Sequence, residues 1–466
     1  MAFLVGGANT LDDAAYEINN SLRFNSSDGP KLQITTGSNS STNGRRKFTL
    51  SVWFKICQDI NDDQTIMGCN DGGHLGHIRI NNDMSLNVQI SASGSDVVTT
   101  NRLFRDHSAW YHLVVAQDTE QSTAANRLKI YVNGALEDSF SAAAYTAEDT
   151  DTSWNSNTEL SIGRDVNGDD NPFDGYLAEM FWIDGTQNAA SEFGEYNDNG
   201  VWIPKDCKND LTFGTHGFYM EFKQTGTSQN SSGIGADTSG QDNHYAVTNL
   251  AAADVTIDTP TNNFATLNSI HKSTDNVLLS EGNLKAVLNQ TSGWQHAAGT
   301  MAVKVGKWYW EAKALAVAAT DKTSIGVLQF NTSDVDFIGN TNTDRSAKGI
   351  SGHGAGTGSY SYAQGDIIMC GMDLDNNKVY WGKNGTWFGD LDPAAGSGST
   401  TQTISNANFC VPVVGGYADS SWELNFGVPQ FSISSSQADD AGYGNFEYDV
   451  PAGFYSLCTK NLGEYG

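Results

Sequence analysis

The chain has 466 residues, more than the roughly 250–300 at which one hydrophobic core stops growing, so two or more domains are expected. Only 17% of its residues are charged, and 54 acids against 26 bases leave a formal net charge of -28, which repels phosphate backbones and anionic lipid and argues against nucleic-acid or electrostatic membrane binding. Hydrophobic residues at 38% and aromatics at 11% supply ample core, which excludes a disordered chain.

The N-terminus, Met1-Ala2-Phe3-Leu4-Val5-Gly6-Gly7, has no basic region and only three consecutive apolar residues, so it does not read as a secretory signal. No window approaches about 18 apolar residues, so no membrane-spanning helix is predicted. Phe3, Leu4 and Val5, followed by Gly6-Gly7-Ala8, suit either a short apolar peg for a neighbouring subunit's groove or an ordinary first strand. Period two then dominates. Phe48, Leu50, Val52 and Phe54 alternate with Thr49, Ser51, Trp53 and Lys55, as a half-buried strand does. Leu128, Ile130 and Val132 alternate with Lys129 and Tyr131, and Asn133-Gly134 then predicts a type I′ hairpin turn. Ala189–Tyr196 reads as a short helix. Gly226–Gly240 is a Ser/Gly/Thr/Asn run, and Asp258–Asn263 reads as an extended connector. Further on, Ile367–Leu374 turns at Asp375-Asn376-Asn377 into Lys378–Trp381, and Asn384-Gly385 turns the chain again into Thr386-Trp387-Phe388. The six cysteines, Cys57, Cys69, Cys207, Cys370, Cys410 and Cys458, form no C-x-x-C pair and read as buried thiols. The pattern predicts an all-β chain of two tandem antiparallel sandwiches: a segment 1–19, a sandwich 20–205, a bridge 206–266 packed on that sandwich, and a second sandwich 267–466.

Blocks in the first half resemble the laminin-G-like, concanavalin-A-like jelly roll: Phe48–Lys55, Trp110–Val115, Leu128–Gly134, Leu160–Gly163 and Phe173–Glu179, in family order. In the second half, Gly306–Glu311, Ser324–Val327, Gly371–Leu374 with Lys383–Gly389, Val411–Gly415 and Glu423–Gly427 resemble a SPRY domain, a sandwich used mainly for protein recognition. Phe3–Asn9, Asn20–Asn25, Phe173–Gly185, Asp237–Gly240 and Pro451–Leu462 resemble structural proteins of marine tailed bacteriophages. That resemblance implies a virion surface protein, made in the host cytoplasm without a signal peptide and joined to other virion proteins through its N-terminus. Its position would be a tail fibre or a head decoration, its assembly a homo-oligomer with a trimer favoured, and its partner a host-surface glycan or protein.

The competing class is a glycan hydrolase, because the concanavalin-A-like fold also houses glucanases. A retaining glycosidase needs two carboxylates about 5–5.5 Å apart. The Glu-x-Asp-x-x-Glu run is absent, Glu179 is followed on its own face by Phe181 and Ile183, Asp373 and Asp375 are turn acids, and Glu447 and Asp449 lie beside Pro451. No enzyme is expected, and a cellular adhesin is disfavoured by the missing signal. Asp165-x-Asn167-x-Asp169 sets oxygen ligands at alternate loop positions, which suits calcium or, equally in kind, an Asx-rich turn without metal; no cofactor is required. His74 and His77, near Asp71, read as a solvated turn. Candidate contacts to a glycan or protein are the aromatics that look exposed: Trp53 and Tyr131 opposite aliphatic strand faces, Trp154 and Trp294 in polar loops, Tyr360 and Tyr362 in a glycine-rich loop, and Trp422.

Overall fold

The computed structural model describes residues 4–5, 16–36, 42–57, 62–70, 75–90, 96–156, 159–166, 170–274, 276–290, 294–317, 323–329, 347–351, 362–398, 402–404, 408–416 and 419–466. Strand accounts for 45% and helix for 7%, so the chain is all-β with antiparallel sheets. It divides into two compact units, residues 13–261 and residues 262–466 together with 1–12.

In the first unit the front sheet runs, in spatial order, Ala135–Leu136, Leu128–Val132, Tyr111–Asp118, Lys47–Ile56, Gly175–Asp184, Ser21–Phe24, Val255–Thr256. The back sheet runs Phe140–Ala143, Val97–Leu103, Ser85–Gln89, Leu75–Ile80, Gln64–Asn70, Glu159–Ile162, Lys31–Thr35, Ala246–Thr248. Alternation sends Leu50, Val52 and Phe54 of the front sheet and Ile66, Ile78 and Val88 of the back sheet into one core. The predicted hairpin forms at Asn133 (φ 48°) and Gly134 (φ 78°), the two positive values a type I′ turn demands. Residues 206–261 lie wholly inside this unit. They add Ala246–Thr248 and Val255–Thr256 as edge strands, and Phe218–Met220 pairs with Met180–Trp182. The Asp258 connector is not solvated either: its carboxylate receives Lys55 Nζ at 2.8 Å with both side chains buried, and Trp110 Nε1 donates to it.

The second unit pairs a sheet of Leu267–Lys272, Gln295–Gly299, Cys410–Gly416, Thr323–Gln329 and Ala347–Ser351 with a larger one. The latter has Val277–Ser280, Lys285–Leu288, Ser420–Asn425, Lys307–Ala316, Ile367–Asp373, Lys378–Lys383 and Thr386–Trp387 in spatial order. Trp308, Trp310, Trp381 and Trp422 fill its core. Leu4–Val5 forms a two-residue strand parallel to Met301–Ala302, so this backbone belongs to the second unit; Phe3 lies outside the described residues. All six cysteines are buried.

Two local expectations are corrected. Ala189–Tyr196 is not a helix. It is a single 3-10 turn, Ala190–Glu192, followed by strand Gly194–Tyr196, because Phe193 turns inward and the next residues pair with Trp202–Pro204. His77 is not in a solvated turn but buried in the strand Leu75–Ile80, its Nε2 2.8 Å from Asn87 Oδ1; Asp71 and His74 lie outside the described residues.

The buried Lys55–Asp258 pair yields a clear expectation. Lys55→Met leaves a buried carboxylate without its cation and should cost about 3–5 kcal/mol, whereas the double substitution Lys55→Met with Asp258→Leu should recover the greater part of that loss. Chemical denaturation of the three variants measures it, and equal losses in single and double variants would show that the pair is not what fastens the connector.

Candidate functional site

On the front sheet the side chains facing away from the core are Thr49, Ser51, Trp53 and Lys55, then His112 and Val114, then Tyr131, with Tyr176, Ala178, Phe181 and Ile183 on the neighbouring strand. Facing outward does not leave them exposed, because residues 190–213 pack over this face. Phe181, Ile183, Phe193, Cys207, Phe213 and Tyr219 form a second apolar layer there. Trp53, read as a surface contact, is 5% exposed, stacked on His112 with ring centroids 4.7 Å apart.

That stack continues outward. His112 stacks on Trp202 at 5.9 Å, and Trp202 meets Tyr196 edge-on at 4.9 Å. The indole Nε1–H of Trp202 donates to His112 Nδ1 at 3.0 Å, so the neutral ring carries its proton on Nε2 and donates to Ser51 Oγ, 2.8 Å away. Burial pushes the His112 pKa down to about 3, so the ring stays neutral. Ser51 therefore accepts from histidine, the reverse of what an activated serine nucleophile needs. Trp202 is also wedged against two glycines: a Cβ on Gly134 would lie 2.3 Å from its ring, and one on Gly194 2.6 Å from it. The Asn197–Val201 turn is closed by its own bonds, with Asn197 Oδ1 accepting from the amides of Asn199 and Val201.

The outcome is a platform at the turn ends of two hairpins. Tyr196 is 55% exposed as a residue, yet its hydroxyl donates to Asn133 O at 2.9 Å and its ring meets Trp202 edge-on. Beside it are Leu136, 53% exposed, and half-buried Tyr131, paired across the strands. Of the aromatics singled out from sequence, Tyr131 lies on this platform and Trp53 lies beneath it. Tyr196 and Trp202 were missed; the clue was Gly194-Glu195-Tyr196 and Val201-Trp202-Ile203 flanking Asn-Asp-Asn-Gly, a hairpin pattern that a helical reading hid.

The other candidates go elsewhere. Trp154 is wholly buried, between Phe48 (5.5 Å) and Trp182 (5.3 Å), because its polar loop closes one end of the sandwich. Trp422 alternates with Leu424 into the second core, where it meets Tyr362 at 5.4 Å; Tyr362 is also buried, donating to Thr323 O. None of these three offers a face to a ligand. Trp294 is half-buried. Tyr360, Asn167 and Asp169 lie outside the described residues, and both carboxylate oxygens of Asp165 accept bonds from within the protein, from Thr65 and Asn171. Among the described residues no group of three or more acidic, histidine or cysteine side chains is placed to hold a metal.

Glu179 occupies an unexpected position. Ala178 pairs with Trp53 and Phe181 with Ser51, so Glu179 and Met180 together oppose Val52 in a β-bulge, and Glu179 takes φ 43°. The bulge restores the alternation, sending Leu177, Met180 and Trp182 to the core. It also divides the strand: Gly175–Ala178 pairs with Ser21–Phe24, and Met180–Trp182 with Phe218–Met220. The carboxyl, 3% exposed, accepts from the hydroxyls of Tyr16 (2.5 Å) and Tyr219 (3.2 Å). Burial, reinforced by Asp206 and Glu221, pushes its pKa up to about 8.

Residues 27–191 match the family model described as "Concanavalin A-like lectin/glucanases superfamily". Among solved structures, the chain is similar to the SPRY domain of human HERC1, at 16% identity, covering 34% of this chain and 96% of that one, with a TM-score of 0.25. It is similar to a heptameric SAP-like pentraxin from Limulus polyphemus, at 17% identity over 37% of this chain and 80% of that one, with a TM-score of 0.28. A Bacteroides ovatus protein named for carbohydrate binding matches at 15% identity over 50% of this chain and 58% of its own, with a TM-score of 0.32. No curated protein matches the chain.

The Glu179 site makes stability depend on pH with a definite sign. Between the ordinary carboxylate value of 4.5 and about 8 the folded chain keeps a proton that the unfolded chain has shed, so stability is greatest at the acid end and is lost as pH rises through about 8. The limiting slope is about 1.4 kcal/mol per pH unit. Denaturation across that range should show Glu179→Gln removing this slope; parallel curves for variant and wild type would refute it.

Proposed function

We propose that the chain is a non-catalytic recognition protein whose first unit binds a glycan at the Tyr196 platform, and that it is displayed on the surface of a virion. The observation that carries the reading is a tyrosine more than half exposed as a residue but held at its hydroxyl and by its contact with Trp202. An aromatic face of this kind stacks on the C–H face of a sugar, and a ring that is already ordered gives up little entropy on binding. The lectin/glucanase-type family match over residues 27–191 supports it.

Several features weigh against hydrolysis. Cleavage by two carboxylates needs both to face an open cleft. Glu179 is sealed under Tyr16 and Tyr219. Asp184 is buried and accepts from the His216 amide and from Asn155 Nδ2. Asp373 is buried and accepts from Asn376, and Asp375 accepts the Gly306 amide. Each of these acids is committed to holding backbone or side chains in place.

Tyr196→Ala should lower affinity for a bound oligosaccharide at least about tenfold while leaving the melting temperature nearly unchanged. Trp202→Ala should lower both, because Trp202 is a wedge as well as a support. Calorimetric titration beside thermal melts measures this, and unaltered binding in Tyr196→Ala would defeat the platform reading. Display on a virion rests on the likeness of blocks spread along nearly the whole chain, from Phe3–Asn9 to Pro451–Leu462, to phage structural proteins. Mass spectrometry of purified particles should find the chain, and labelled antibody should place it on their surface; particles lacking it would end that part of the proposal.

A further inference from the structure

The second unit brings two tyrosines together near its last helix. Tyr455 stands on the short strand Tyr455–Ser456, which runs parallel to Trp308–Tyr309, and Tyr465 closes the helix Thr459–Tyr465. Their rings stack with centroids 3.6 Å apart and planes 6° from parallel. A separation this close to van der Waals contact leaves almost no lateral offset. The Tyr455 hydroxyl also donates to the Tyr465 hydroxyl. The rings therefore lie head to head, each carbon ortho to a hydroxyl facing its counterpart. The helix is anchored in that position. Leu462 enters the core, Asn461 Nδ2 donates to Asp439 and to the Ser456 carbonyl, and a Cβ on Gly306 would lie 2.5 Å from the Tyr465 carbonyl oxygen. The two tyrosines are nonetheless only half-buried, with Gly463, Glu464 and Gly466 exposed beside them in the chain.

Two phenols held in this way are placed for oxidative coupling. A one-electron oxidant takes an electron from each ring as its hydroxyl proton passes to water, and the two phenoxyl radicals pair their electrons in one new bond between facing ortho carbons. Each ring then regains aromaticity by moving the proton of that carbon to its own oxygen. The sum is two electrons to the oxidant, two protons to water and one C–C bond formed. Proximity decides the partner, because a radical already against its counterpart couples far faster than one that must meet a second chain in solution. Other tyrosines are placed differently. Tyr16 and Tyr219 meet through their hydroxyls, 3.3 Å apart, but both are committed to the buried Glu179 carboxyl, and exposed Tyr196 has the Trp202 ring as its neighbour. We propose that Tyr455 and Tyr465 form a modification site, at which a one-electron oxidant joins them as dityrosine and staples the helix Thr459–Tyr465 to the strand Tyr455–Ser456.

The test illuminates the full chain, at micromolar concentration, with a ruthenium photosensitiser and persulfate as the one-electron oxidant. Dityrosine fluorescence, migration on a denaturing gel and peptide masses are then read. Trypsin cuts after Lys460, between the two tyrosines, so their peptides stay together only if bonded, at a mass two hydrogens below their sum. The link within the chain should exceed dityrosine between chains at least about tenfold. Amide exchange across residues 459–465 should slow in the linked chain. Tyr465→Phe, which keeps the stack, should abolish the joined peptides, and Tyr455→Phe should do the same from the other element, so that a folding defect in one variant leaves the other to decide. Tyr196→Phe should leave the link intact. Dityrosine formed mainly between chains, a link that survives in either phenylalanine variant, or oxidised chain without the joined peptides would each overturn the proposal.

Discussion

The first unit is organised by the need to cover a sheet face that is charged. Lys55 points away from the core on the central strand, and Arg23 does so two strands over, yet both are buried. A lone ammonium there would cost several kcal/mol in desolvation. The chain supplies the matching groups late, from residues 251–261: Asp258 takes Lys55, while Asp254 and the Ala253 carbonyl take Arg23. Residues far apart in sequence are thereby fixed in register. Once that end of the face is closed, residues 190–213 run across the rest, and the course of this strap sets Trp202 against His112.

Closing the face decides what kind of function it can hold. An open sheet face of this breadth would offer a cleft, with room for a pair of carboxylates on either side of a bond. Here that surface carries a second apolar layer of Phe181, Phe213 and Tyr219, and its one strand-borne glutamate is protonated and sealed. What stays accessible is the margin of the strap, where the Gly194–Pro204 hairpin meets the Asn133 turn. There the hydroxyl of Tyr196 is held by the Asn133 carbonyl and its ring meets Trp202 edge-on.

Sequence periodicity carried the fold class, because alternation and Asn-Gly turns are local signals: the turns at Asn133-Gly134 and Asn384-Gly385 form with the positive φ values expected of them. It failed where a residue's environment comes from a distant segment. Trp53 truly lies opposite the aliphatic face of its strand, but that face is covered by a strap over a hundred residues later. Trp154 sits in a polar loop, yet that loop is the lid of the core, with Asn155 bonding Trp182 and the Gly44 carbonyl. Trp422 could have been read correctly, since it alternates with Leu424 and Phe426. The Glu179 bulge also left a trace, the three-residue step from Leu177 to Met180 within a strand otherwise of period two. Tyr16 and Tyr219, which make that buried carboxyl tolerable, could not be foreseen from any local pattern.

The same logic explains how a chain with so few bases keeps its buried acids. Cations serve some of them, as Lys55 does Asp258, and backbone amides and hydroxyls serve the others. Glu311, on the outward face of the second unit's larger sheet, accepts from the amides of Glu447 and Tyr448, the Tyr309 hydroxyl and Asn425 Nδ2. Asp439 accepts from the amides of Ala441, Tyr443 and Ser456, and from the side chains of Ser456 and Asn461. Asp237 collects the amides of Tyr219, Ser239 and Asn243. Each carboxylate gathers donors from irregular chain that has no ladder to satisfy them, and an unpaired buried amide is costly. Acids in this protein act as pins for its long non-repetitive segments, which allows a surface otherwise built of Ser, Thr, Asn and Gly to hold one conformation.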